Sequence, residues 1–87
     1  MVDKHNFNNK VVIVTGSAQG MGKAVAKKFG EYGAKIVIND ISENSLKLTE
    51  NEFVKSGFNV LALTGDVTQS GDVENIVNQT IKRYGQV

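Results

Sequence analysis

The stretch Val11-Val12-Ile13-Val14-Thr15-Gly16-Ser17-Ala18-Gln19-Gly20-Met21-Gly22 decides the fold of this chain. Four consecutive β-branched residues read as a strand covered on both faces, because a half-exposed strand would alternate apolar with polar. Apolar residues then recur at helical spacing through Met21, Val25, Phe29 and Tyr32, which predicts a helix from about Gly20 to Tyr32. Gly33 follows as a residue able to take the left-handed C-terminal cap.

The same alternation repeats twice downstream. Lys35 to Asn39, with Ile36, Val37 and Ile38 at its centre, predicts a second strand, and Ser42 is a sound N-cap for the next helix. That helix carries Leu46, Thr49, Phe53 and Val54 as its inward stripe and stops at Gly57. Phe58 to Thr64 predicts a third strand, after which Gly65 and Asp66 turn the chain toward Thr68 or Ser70 as the following cap. The third helix keeps Val73, Ile76, Val77, Thr80, Ile81 and Tyr84 on one face. Asp72 and Glu74 lie near its positive end, Lys82 and Arg83 near its negative end, and Gly85 closes it. Strands joined through helices require right-handed crossovers. The expected architecture is therefore α/β: half of a Rossmann-type doubly wound fold, three parallel strands in the order 3-2-1 with helices on both faces.

Composition narrows the function classes. The chain has 87 residues, 40% hydrophobic and 22% charged, with no proline and no cysteine. This is one domain over residues 1–87, with residues 1–9 as a polar N-terminal tail. Lack of cysteine excludes a disulfide scaffold, thiolate metal ligation and a thiol nucleophile, and points to a cytoplasmic setting. No metal site is expected. Net charge is +1 with the basic residues scattered, so nothing asks for nucleic acid. An apolar run of four, as in Val11 to Val14, is the longest in the chain and far too short for a membrane span, and the first ten residues lack the apolar run of a secretory signal. His5 reads as a solvated tail residue.

Ligands of such sheets bind at the carboxyl ends of the strands, where three loops lie here: Thr15 to Gly22, Asp40 to Ser42, and Gly65 to Thr68. In the first, Gly16 suits the tight turn out of the strand, Gly20 lets a phosphate approach the backbone, and Gly22 allows close helix packing. Free N–H groups and the positive dipole at the helix start then hold a pyrophosphate without a cationic side chain. A Walker-type phosphate loop fails on spacing, since the position five residues after Gly16 is Met21 rather than Gly, and the Gly22-Lys23 pair is followed by Ala24 rather than Ser or Thr. Asp40 is placed to accept hydrogen bonds from the adenosine ribose hydroxyls; its bland reading is a turn or capping acid. A carboxylate there repels a 2′-phosphate, Ile41, Ser42 and Glu43 bring no positive charge, and Ser17 is uncharged, so NAD is favoured over NADP. Asp66 can accept from an adenine amino group while Val67 lies against the ring, and they read equally well as a turn acid and a core valine.

The run from Lys10 to Gly22, Asp40 within Ile38-Asn39-Asp40-Ile41, and Gly65-Asp66-Val67-Thr68 together resemble the N-terminal region of the short-chain dehydrogenase/reductase family, over about Phe7 to Val87. Met21 departs slightly, since the family more often has Ile there. The resemblance implies that Gly16, Ser17, Gln19, Gly20, Met21 and Gly22 take the pyrophosphate of a nicotinamide dinucleotide. It places Asp40 and Ile41 at the adenosine ribose, and Asp66 and Val67 at the adenine.

Family members continue past Gly85-Gln86-Val87 into a fourth strand with an Asn-Asn-Ala-Gly turn, a catalytic Ser and a Tyr-x-x-x-Lys pair. No catalytic residue is assigned here; Tyr32 and Lys35 are three apart, not four, and are expected to pack and solvate. The expectation is thus the nucleotide-binding N-terminal portion of an NAD(P)-dependent short-chain oxidoreductase, as a truncated or fragmentary domain. Without a fourth strand, Val11 to Val14 becomes a bare edge, and a homodimer through that strand is expected. Two other classes remain: a stand-alone, non-catalytic nucleotide-binding module, and a methyltransferase half. The Thr15-Gly16 start with Gly20 and Gly22 argues against the methyltransferase.

Overall fold

A computed structural model describes residues 7–86. Strands β1 (Val11–Val14), β2 (Lys35–Asp40) and β3 (Val60–Thr64) alternate with helices α1 (Gly20–Glu31), α2 (Glu43–Lys55) and α3 (Ser70–Tyr84). The strands form one parallel sheet with β2 at its centre, Ile13 opposite Val37 and Val37 opposite Leu61. The predicted order 3-2-1 is the observed one.

Position in the sheet sets burial. Ile36, Val37 and Ile38 of the central strand are fully buried, as a β-branched run covered on both faces must be. Side chains alternate across a strand, so Ile36 and Ile38 face α1 and α2, and with Ala18, Ala26, Leu46, Phe53 and Val60 they make the core. Val37 and Asn39 point the other way, toward α3, whose buried residues are Ile76 and Thr80. The expectation that β1 is covered on both faces is not met. All four of its residues are only half-buried, because among the described residues it pairs with β2 alone and forms an edge.

Several boundaries and faces differ from expectation for identifiable reasons. On α1 the stripe Met21, Val25, Phe29 and Tyr32 does not face the core: Met21 is 83% exposed, Val25 is exposed and the buried residue is Ala26. The helix instead lies on the sheet through Ala26 and Gly30, small residues that let it approach closely. A Cβ on Gly30 would stand 2.7 Å from both Ile36 Cδ1 and Phe58 Cδ2. The larger stripe points sideways, where Phe7 meets the Phe29 ring edge-on at 5.2 Å and stacks on Tyr32 at 6.0 Å. Residues 7–9, counted with the polar tail, therefore begin the packed structure; His5 lies outside the described residues.

On α2, Leu46, Thr49 and Phe53 are buried as expected, but Val54 is exposed, one position too far around the helix. Ser42 caps this helix, its Oγ accepting from Ser45 N–H at 3.4 Å. Phe58 is not in β3, which starts at Val60; it folds back so that its ring meets Phe53 at 5.5 Å. The residue capping α3 is Gln69, with no side-chain cap, so neither Thr68 nor Ser70 serves. Thr68 instead turns its hydroxyl to Asp66. At the far end Gly85 takes the left-handed conformation expected of it, with φ 76°. On α3, Val73 and Ile81 are exposed although they share the apolar face of the sequence pattern with the buried Ile76 and Thr80.

Helical glycines test this packing directly. Gly30→Ala should destabilise by about 1–2 kcal/mol, the overlap with Ile36 and Phe58 outweighing the gain in helix propensity. Gly71→Ala, in α3 with nothing within 4 Å of the added Cβ, should stabilise by roughly 0.5 kcal/mol. Urea unfolding of the two variants gives the comparison, and equal effects would refute the close-approach account.

Candidate functional site

The three loops at the carboxyl ends of the strands converge on the end of β2, and the bonds between them are specific. Ser17 is fully buried: its Oγ–H donates to Val14 O at 2.7 Å and its Oγ accepts from Asn39 N–H at 2.9 Å. Its own N–H donates to Asn39 O at 2.8 Å. The hydroxyl is thus spent on holding the loop to β2. Ala18, 5% exposed, donates its N–H to Asp40 Oδ2 at 3.1 Å, and its carbonyl accepts from Thr49 Oγ1 at 2.6 Å.

Gly16 and Gly20 take φ of 61° and 63°, the left-handed region where a side chain is strained. At Gly22 the constraint is space, but against the loop rather than the sheet. An added Cβ would run into the Gly16 carbonyl. The glycines therefore fold the loop back over the first turn of α1. That helix starts at Gln19 without a side-chain cap and without an acidic residue in its first turn, whereas α2 and α3 carry Glu43 and Asp72 there. The first N–H groups of a helix have no intrahelical partner, so Gly20, Met21 and Gly22 present amide donors and an uncompensated positive dipole end. The exposed side chain of Gln19 lies beside them.

Asp40 closes the second loop. Its Oδ1 accepts from Ser42 N–H at 3.2 Å while Oδ2 holds Ala18. A carboxylate offers about four acceptor positions, so half of them remain for a ligand. Ile41 beside it is exposed. The third loop is tied to the same strand end: Asn39 Nδ2 donates to Leu63 O at 3.0 Å and Gly65 O at 3.1 Å, and Gly65 N–H donates to Asp40 O at 3.1 Å. Asp66 Oδ1 accepts from the hydroxyl of Thr68 at 2.7 Å and from its N–H at 2.9 Å, which holds the Asp66 carboxyl below its ordinary pKa. Asp66 N–H donates to Asp72 Oδ2 at 2.9 Å, and Val67 is exposed.

The residues proposed from the sequence for cofactor binding thus all lie in the three loops at this one end of the sheet. Sequence reasoning missed Asn39 and Thr49 as parts of it. For Asn39 the available signal was a polar residue inside an otherwise apolar, fully covered strand; for Thr49 it was a hydroxyl on an inward helical stripe. Tyr32 and Lys35 are remote: Tyr32 stacks on Phe7, and Lys35 Nζ lies 5.7 Å from the Tyr84 ring centroid. Among the described residues no helix is long and apolar enough to cross a membrane.

The Asp66 turn makes a testable prediction. Thr68→Val removes the hydroxyl that most stabilises the Asp66 carboxylate, so Asp66 should titrate at higher pH in the variant than in the wild type. A lowered folded-state pKa contributes stability above the ordinary carboxylate pKa and loses it as pH falls through the lowered value. The variant should therefore lose its smaller contribution at higher pH. Carboxyl-detected NMR titration checks this, and an unmoved Asp66 titration would refute it.

Comparison with known proteins agrees with this geometry. A family model described as short chain dehydrogenase matches residues 10–87. A hydroxy(phenyl)methyl-succinyl-CoA dehydrogenase subunit of Thauera aromatica is 42% identical over 81 residues, 93% of this chain and 33% of that protein. An oxidoreductase of Thermotoga maritima is 42% identical over 82 residues, 94% of this chain and 32% of that protein. Among solved structures, a short chain dehydrogenase/reductase from Burkholderia phymatum in complex with NAD superposes with a TM-score of 0.91 at 29% identity, covering 100% of this chain and 30% of that one. The chain spans about a third of the length of the curated relatives it matches. With the parallel sheet, the glycine loop and the acid at the end of β2 all in place, the chain belongs to the short-chain dehydrogenase family.

Proposed function

We propose that residues 1–87 form the adenosine-binding part of a nicotinamide dinucleotide site, within an oxidoreductase that moves a hydride between that cofactor and an alcohol or carbonyl compound. The observation that carries this is the uncapped start of α1 held against the end of β2 by Asp40, which unites amide donors for a pyrophosphate with a carboxylate for a ribose. Gly16, Ser17 and Gly22 shape the loop. Gln19, Gly20 and Met21 stand at its mouth, Asp40 and Ile41 serve the ribose, and Asp66 with Val67 serves the adenine. The nicotinamide ring, when bound, supplies the hydride chemistry; these residues bind and orient the other end of the molecule. The lack of cysteine supports a cytoplasmic setting.

NAD is the preferred cofactor. Asp40 keeps two acceptor positions and no cation stands in Ile41, Ser42 or Glu43 to receive a 2′-phosphate. Wild-type protein should bind NAD at least about tenfold more tightly than NADP, and Asp40→Ala should weaken NAD by about tenfold and erase the difference. Calorimetric titration with both cofactors decides it. Equal wild-type affinities overturn the preference, and binding of neither overturns the site.

Assembly is part of the same proposal. The half-buried Val11–Val14 edge favours pairing of two copies through β1 around a two-fold axis. Sedimentation should give twice the 9.4 kDa chain mass; a monomer that persists at micromolar concentration would refute pairing.

A further inference from the structure

Four polar side chains are buried among the described residues, and three of them, Ser17, Asn39 and Thr49, gather around the glycine loop. The fourth, Thr80, shows what a buried helical threonine does by default: its Oγ1–H returns to Ile76 O, one turn back in its own helix, at 2.7 Å. Thr49 does otherwise. Its hydroxyl leaves α2 and donates at 2.6 Å to the carbonyl of Ala18, 31 positions earlier in the chain.

We propose that Thr49 is a positioning residue of the site: by holding the Ala18 carbonyl, its hydroxyl fixes the Ala18–Gln19 peptide and so aims the amide donors at the start of α1. This rests on the nucleotide site proposed above. A valine would fill the same buried space without a polar group, but it would leave the Ala18 carbonyl without a donor in a place shut off from water. The bond therefore has a use beyond packing.

Peptide geometry identifies that use. The Ala18 carbonyl and the Gln19 N–H share one plane and, in a trans peptide, point in opposite directions. Among the described residues no peptide bond is cis. With the carbonyl drawn toward α2, the Gln19 N–H faces away from α2. Gln19 is the N-cap of α1, and its own carbonyl accepts from Lys23 N–H at 3.4 Å. The orientation of this one peptide thus fixes where α1 begins and how the amides of Gly20, Met21 and Gly22 point. Ala18 is held on both sides, its N–H by Asp40 and its carbonyl by Thr49. The ribose carboxylate and the pyrophosphate loop are thereby locked into one mutual arrangement, with α2 as the third support.

The test compares Thr49→Val and Thr49→Ser with wild type, titrating NAD, ADP-ribose and adenosine separately while following backbone amides by NMR. Thr49→Val should weaken NAD and ADP-ribose by about three- to tenfold, the scale of one lost buried hydrogen bond. Adenosine, which has no phosphate, should bind within about twofold of wild type on the same scale. The Gln19 amide resonance should move, and Thr49→Ser should restore both affinity and resonance. If Thr49→Val weakens adenosine as much as NAD, or leaves NAD unchanged, the positioning role is overturned while the nucleotide site stands. If wild type binds neither NAD nor ADP-ribose, both proposals fall. Should Thr49→Val not fold, the wild-type Thr49 resonance decides: it should respond to ADP-ribose and not to adenosine, and the same response to both overturns the role.

Discussion

The loop after β1 owes its shape to the strand beside it. Ser17 is joined to Asn39 by a donated and an accepted bond at 2.8 and 2.9 Å, and neither is exposed to solvent. Backbone groups at this depth must find partners within the protein, and the β1–β2 ladder ends at the pairing of Val14 with Ile38. Ser17 extends the pairing past that point with a side chain standing in for a backbone acceptor. Because the next residue, Asp40, takes the Ala18 amide, and the Asn39 side chain takes Gly65, the end of β2 becomes the common anchor of all three loops. Moving that strand end by one residue would displace every candidate ligand-binding group together.

This arrangement explains how an anion site can be built with little charge. No lysine or arginine lies in the glycine loop or directly after Asp40. Amide donors and the dipole of α1 supply the positive potential, and they are rigid, whereas a lysine loses side-chain entropy on binding. A negative side chain can then sit nearby without a cation beside it to neutralise it. That is the condition that the proposed preference of Asp40 for a ribose hydroxyl over a phosphate requires.

Sheet order, crossover pattern and the location of the site were legible because each depends on strong local signals: β-branched runs for the strands, glycines for the loop, Asp40 at a strand end. The faces of the helices were harder to read. On α1 the large apolar residues of the sequence pattern include Met21 and Val25, whereas contact with the sheet falls on Ala26 and Gly30, where small size rather than hydrophobicity marks the interface. Phe58 looks like strand in the sequence but precedes β3, and its half-buried ring packs against Phe53 at 5.5 Å instead of continuing the sheet. Asn39 and Thr49 stand out locally only as polar residues in apolar settings; the partners of their buried hydrogen bonds, Ser17 and Ala18, lie far along the chain, which no local pattern records.

The register of the sheet has a kinetic meaning. Val11 pairs with Lys35 and Ile36 with Val60, so each strand finds its neighbour the same distance further along the chain, and no two are joined by a tight turn. No hairpin can form early and serve as a template. Each pairing requires a loop to close first, an entropic cost not recovered until a helix has docked across the sheet. The central strand must collect both neighbours in this way. Each pairing in this sheet is therefore tied to the closure of a crossover that contains a helix, and none is local in sequence.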